Sequence, residues 1–196
     1  MPAKAKRQRP EISFLLGVFL GAILMYFIFT ELYVQRPLSG FTLVLLPNEE
    51  YFYHVYELMN RANSSIHIIM YVARYDPEET VAEDPANALI TALKTARDKG
   101  LDVKVIVDDV TKIDYPETIA YLKAQGIPVK LDPKPGITTH AKLVIIDGRI
   151  VIIGSHNWTE SALSRNNEYS VLIHSNDIAL EVERYFQNLW ENGRPL

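Results

Sequence analysis

Cysteine is missing from all 196 residues, which excludes a disulfide framework, a thiol nucleophile and any zinc or iron–sulfur site built on thiolates. Glycine (9) and proline (11) occur at ordinary levels, so collagen-like and low-complexity chains are excluded as well. Positive charge is scarce outside one short stretch. Lys4, Lys6, Arg7 and Arg9 fall within the first ten residues, and the other 186 residues hold 16 bases against 24 acids, a balance of −8. A globally basic nucleic-acid binder is therefore excluded, and any phosphate site must be local. Apolar residues are plentiful: 48% hydrophobic against 22% charged supports a packed core, and the length suits one domain with a short appendage.

The appendage is the N-terminus. Ile12 to Thr30 is a run of 19 residues without a charge, ISFLLGVFLGAILMYFIFT. As a helix it is roughly 28 Å long, about the thickness of a bilayer's hydrocarbon core. Tyr26 and Tyr33 stand near its distal end, where aromatic belts lie. A cleaved secretory signal is the alternative, but such signals have shorter apolar runs and a small-residue cleavage site, and Phe27-Ile28-Phe29-Thr30-Glu31 offers none. The expected organisation is a basic flank over 1–11, a transmembrane anchor over 12–30, a linker over 31–40 and a folded domain over 41–196. The four bases on the N-terminal side predict that this side stays cytoplasmic and the domain lies across the membrane.

The domain alternates strands and helices. Apolar or β-branched runs predict strands at Thr42–Leu46, Ser65–Ala73, Asp102–Val107, Ile127–Leu131, Ala141–Ile146, Ile150–Ile153 and Glu168–His174. Helical spacing predicts Glu49–Ala62, Ala86–Lys99, Tyr115–Gln125 and Asp177–Trp190. Arg74–Asp84 and Asp132–Thr139 read as loops, and Asp147-Gly148 is a hairpin turn. Apolar strands alternating with helices imply an α/β fold, a sheet sandwiched between helices.

One stretch carries chemistry. From His140 to Asn157 the chain reads HAKLVIIDGRIVIIGSHN. His140 and Lys142, one residue apart on a strand, point to one face. An imidazole can attack phosphorus or give a proton, while an ammonium neutralises phosphate oxygens. Ser155 and Asn157 share a parity after the second strand and can return as neutral donors. Glu168 begins another strand, from which it can orient the imidazole. Each piece alone is commonplace; the joint spacing is not.

In this spacing the chain resembles the phospholipase D superfamily, whose signature is H-x-K-x4-D-x6-G-S-x-N. His140, Lys142, Asp147, Gly154, Ser155 and Asn157 match without a gap. The likeness extends over roughly Phe41–Trp190, through Ser65-Ile66-His67-Ile68, the helix Ala88–Ala96 and Asn167-Glu168. Most members carry two such motifs in one chain. This chain has one, like the small bacterial endonucleases and mitochondrial-surface members, which pair two chains. The resemblance implies a metal-independent, cofactor-free phosphodiesterase working through a phosphohistidine, with a homodimer supplying the second imidazole. Carried over, His140 is nucleophile or acid, Lys142 and Asn157 clamp the phosphate, Ser155 assists, Glu168 orients the imidazole, and Asp147 and Gly154 are structural.

Other residues read more plainly. His67 inside an apolar strand is a core histidine, His156 has the wrong parity for the site, and Trp158 and Trp190 are packing residues. Asp108-Asp109 suggest a magnesium site, but a strand-end loop explains them better. Lys130, Lys134, Arg149 and Arg165 are the candidates for a local basic rim. The leading expectation is an endonuclease acting on DNA or RNA; the alternative is a phospholipase acting on a lipid such as cardiolipin, and the third is an inactive binding module. A basic groove beside His140 is the mark of the first, an apolar entrance that of the second.

Overall fold

In the computed structural model, Phe14, residues 17–26 and residues 40–196 are described. The chain divides into two compact units, Met1–Ser39 and Gly40–Leu196. In the first, residues 17–26 are helical (α1) and exposed. The basic flank, the rest of the anchor expected over 12–30, and linker residues 31–39 lie outside the described residues. Among the described residues no helix is long and apolar enough to cross a membrane.

The second unit runs β1 (Thr42–Pro47), α2 (Glu50–Asn60), β2 (Ser65–Met70), α3 (Pro85–Asp98), β3 (Asp102–Val107), α4 (Asp109–Asp114), α5 (Pro116–Ala124), β4 (Val129–Leu131), β5 (Lys142–Ile146), β6 (Ile150–Gly154), α6 (Glu160–Ser164), β7 (Tyr169–His174), α7 (Asn176–Asn192) and β8 (Arg194–Pro195). Local chemistry accounts for the boundaries. Asp84 Oδ1 accepts from Ala86 N at 2.7 Å to cap α3, Pro85 opens its first turn, and Gly100 (φ +86°) ends it.

The strands form one mixed sheet in the order β1-β7-β6-β5-β2-β3-β4-β8. β2–β3 and β3–β4 are parallel, and the other pairs are antiparallel. Successive residues of a strand face opposite sides, and two cores result. Ile66, Ile68, Val103, Val105, Val144 and Ile152 pack with α2, α3 and α5. On the other face Ile69, Ile106, Leu143, Ile145 and Val151 pack under Ala179 and Phe186 of α7. The expected helix–sheet–helix sandwich is present, but α7 alone forms the second layer beside β2, β5 and β6, and Leu43 and Leu45 of β1 stay exposed.

His67 is a core histidine as expected. Its ring stacks on Phe186, and its nitrogens lie 2.7 Å from Glu183 Oε1 and 3.2 Å from Asp102 Oδ2. The strand expected over Ser65–Ala73 ends at Met70. Tyr71 N then donates to Ala141 O (3.0 Å), and Ala73 bridges to Trp158. The short elements α4, α6 and β8 have no counterpart in the sequence reading.

Candidate active site

Antiparallel pairing brings the start of β5, the end of β6 and the start of β7 to one edge of the sheet, where β2 and β3 also end. His140 lies just ahead of β5 and is exposed; Lys142, the first residue of β5, is buried. The shared face expected for the pair is present: Lys142 Nζ lies 3.0 and 3.1 Å from the His140 ring nitrogens and donates to the His140 carbonyl at 2.9 Å. Burial pulls the Lys142 ammonium below its ordinary value, and the negative charge of Glu168 opposes that pull.

Tyr71 forms the floor. Its ring centroid is 4.4 Å from that of His140, and Lys142 Nζ sits 4.8 Å from it. The sequence reading places Tyr71 only within a strand; in the structure it is the first residue after β2, the strand that pairs with β5. Thr111 holds it from below, donating to the Tyr71 carbonyl at 3.0 Å.

From the other side, Asn157 Oδ1 accepts from Val72 N at 3.3 Å, next in sequence to Tyr71. Its amide NH2 makes no hydrogen bond among the described residues and remains a free donor. Ser155 Oγ donates to Glu168 Oε2 and accepts from Tyr169 N at 3.0 Å. Glu168 Oε1 accepts from Asn166 Nδ2 at 3.0 Å. Within the single chain Glu168 meets other partners than His140. The carboxylate is bound to Ser155 and Asn166, and the β6–β7 register continues to set Ser155 opposite Tyr169, next in sequence to Glu168. His156 points away as its parity requires. It is stacked on Tyr51, bonded to Ser170 Oγ (2.7 Å) and the Asn48 carbonyl (2.9 Å), and burial holds its imidazole below the ordinary value.

Gly154 is where β6 comes closest to β7. A Cβ built there meets Ser170 Oγ at 2.2 Å, Ser170 Cα at 2.4 Å and Tyr169 O at 2.5 Å. Only glycine fits without moving backbone.

Asp147 sits at the opposite end of the hairpin, in the left-handed region (φ +54°). Its Oδ1 accepts from Ser64 N (2.7 Å), Asn63 N (3.0 Å) and Ser65 N (3.1 Å), fastening the turn to the start of β2. Burial works to raise this carboxyl, but the hydrogen bonds from Ser64, Ser65 and Asn63 hold it below its ordinary value of 3.8. A carboxylate whose folded value is depressed stabilises the fold above its unfolded value and loses that contribution as pH falls through the folded one. Asp147→Asn is therefore expected to cost about 1–3 kcal/mol in urea unfolding at pH 7. The difference from wild type should shrink as pH drops below about 4. A cost unchanged down to pH 2.5 would refute the charge-based account.

The proposed basic rim is not gathered here. Arg149 lies beside Asp147 at the far end of β6 (Nη2–Oδ2 3.6 Å), and Lys130 on β4 donates to the Trp190 carbonyl at 2.7 Å. Sequence order gives no hint of which sheet end a residue reaches. Arg165 is exposed but paired with Glu160 at 3.0 Å, and only Lys134, on the loop leading into His140, is exposed without a partner. Two isoleucines stand out instead: Ile113 on α4 (71% exposed) and Ile137 on the 132–139 loop (59%), segments joined by the Thr139 N to Asp108 Oδ2 bond of 2.7 Å. A cavity of about 350 Å³ is lined by Arg74, Tyr75, Asp76, Pro77, Glu78, Asp114, Tyr115 and Glu117, four of them acids. Among the described residues no three His, Asp or Glu side chains converge as a metal site.

Residues 55–190 match a family described as cardiolipin synthase, PLD-like domain. The chain is 31% identical over 193 residues to a protein named phospholipase D from Rickettsia prowazekii (strain Madrid E), covering 91% of this chain and 88% of that one. It is 35% identical over 106 residues to the mitochondrial cardiolipin hydrolase of Homo sapiens, covering 53% of this chain and 41% of that protein. Among solved structures, Nuc from Salmonella typhimurium, a phospholipase D family member, superposes with a TM-score of 0.66 at 25% identity, covering 79% of this chain and 97% of Nuc.

Proposed function

The chain belongs to the phospholipase D superfamily and is a phosphodiesterase hydrolase, and from that premise we propose that it cleaves the phosphodiester of membrane phospholipids, held at the bilayer by residues 12–30. The observation that carries the substrate reading is the composition of the site's rim. Ile113 and Ile137 are exposed on α4 and on the loop that leads into His140, while Lys130 and Arg149, which a polyanion would need, are engaged elsewhere. The second reading, an endonuclease, rests on Lys134, exposed on the loop before His140.

The chemistry proposed is the same for either substrate. The His140 imidazole attacks phosphorus, and the P–O bond to the leaving alkoxide breaks as that oxygen takes a proton from the partner's His140. Lys142 and the free amide of Asn157 hold the non-bridging oxygens as charge builds on them. Water, deprotonated by the partner's His140, then opens the phosphohistidine and restores both imidazoles. The working unit is a homodimer, since one chain brings only one such histidine.

The test offers full-length protein cardiolipin-containing vesicles, single-stranded DNA, duplex DNA and RNA, each with EDTA present. Release of the headgroup alcohol and phosphatidate, with nucleic acids intact, is the expected result. Cut nucleic acid with intact lipid would reverse the substrate assignment, and activity lost in EDTA and regained with magnesium would end the two-histidine mechanism.

A further inference from the structure

Beneath the site lies a carboxyl cluster that the proposed chemistry does not use. β3 and β4 run parallel with Val107 opposite Leu131, so Asp108 and Asp132, the residues that follow, end side by side. Both are buried, at 3% and 1% exposure. Asp108 Oδ1 accepts from Val110 N (3.0 Å) and its Oδ2 from Thr139 N (2.7 Å). Asp132 Oδ1 accepts from Arg194 Nη2 (3.0 Å), which also reaches Asp109 Oδ2 (2.7 Å), and Arg194 Nε donates to the Asp132 carbonyl (2.8 Å). Asp132 Oδ2 is buried with no hydrogen-bond partner.

Two buried carboxylates with one shared guanidinium between three acids cannot all be ionised at low cost. Burial and the neighbouring Asp108 both favour the neutral form of Asp132, whose Oδ2 stands without a partner. Burial pushes the Asp132 carboxyl above its ordinary value and the Asp108 carboxylate adds to the push, against the pull of Arg194 and Thr139.

Thr139 is the residue before His140. We infer that Asp108 is a positioning residue for His140: seated beside Asp132, which Arg194 holds, it grips the Thr139 N–H and so fixes the backbone from which the imidazole meets Lys142 and Tyr71. The inference rests on the reading of His140 as the reacting group. Residues 133–138 that lead to it are half-exposed to exposed and include Gly136 at φ +75°, so this grip is what ends the loop in one place. A reacting atom displaced by about 1 Å can cost about 10²-fold in rate.

Full-length protein and bis(4-nitrophenyl) phosphate provide the test, with His140→Ala as the reference and near-UV circular dichroism giving the folded fraction. Asp108→Ala should lower kcat about tenfold to a hundredfold with KM nearly unchanged. Asp108→Asn keeps an acceptor for Thr139 and offers Asp132 an amide hydrogen, so it should recover most of that loss. Arg194→Met, which leaves the Asp108 side chain in place, should lower kcat severalfold and supplies the readout if Asp108→Ala does not fold. Wild-type kcat per folded molecule in Asp108→Ala and Arg194→Met would overturn the inference, as would Asp108→Asn being as slow as Asp108→Ala. An active His140→Ala would instead overturn the reading of the site.

Discussion

Replacing His140 with Ala is expected to abolish turnover, by about 10³-fold or more, and to disable the wild-type chains with which the variant pairs. Lys142 cannot stand in for the imidazole, because it is buried beneath it and engaged with the His140 carbonyl. Nor can the other nearby histidine, since both nitrogens of His156 are occupied by Ser170 and Asn48. If subunits exchange at random at equal amounts, active dimers should fall to about half of those the same wild-type chains form alone, because a mixed dimer carries one imidazole. Mixed dimers with full activity per wild-type chain would show that each chain works by itself. The variant should fold normally, His140 being exposed.

The largest effect on the fold is expected from Gly154→Ala. The added methyl meets backbone at 2.4 and 2.5 Å, and backbone in a paired strand cannot step aside as a side chain does. A destabilisation of about 3 kcal/mol or more is expected in urea unfolding. Activity should fall further than the unfolded fraction explains, because parting β6 from β7 separates Ser155 from Glu168. Gly148→Ala is the control: Gly148 also needs freedom of conformation (φ +61°), but nothing lies within 4 Å of a Cβ there. Its cost should be about 1–2 kcal/mol. Equal costs at the two positions would show that β6 and β7 adjust freely.

What could be read from the sequence was what depends on near neighbours. Asp147-Gly148 announces its hairpin because both residues adopt the left-handed region locally, and the central strands announce themselves as apolar runs. The closeness of His140 and Lys142, and the exclusion of His156, follow from alternation along strands. Other features depend on which strand ends meet. Tyr71 becomes the floor of the site only because β2 pairs antiparallel with β5, and Arg149 is lost from it for the same geometric reason. Glu168 has a competitor for its carboxylate, Ser155, that only the β6–β7 register brings within reach. Helices α4 and α6 are too short to show a period, and their caps, Asp108 and Thr159, are also turn residues. Asp132 lies in a loop by every local sign, yet it is among the most buried acids of the domain.

The position of β1 has a consequence for how the protein is made. Its partner in the sheet is β7 alone, and roughly 120 residues separate the end of one from the start of the other. At about 5–20 residues per second, a ribosome needs on the order of ten seconds to cover that distance. Meanwhile β2 and β3 can pair around α3, and the β5–β6 hairpin can close on them. Thr42–Pro47 waits, uncharged and with both hydrogen-bonding edges open. One of the first strands to emerge is thus among the last to be paired. A chain stalled before Tyr169 presents an apolar edge suited to pairing with its neighbours rather than with itself.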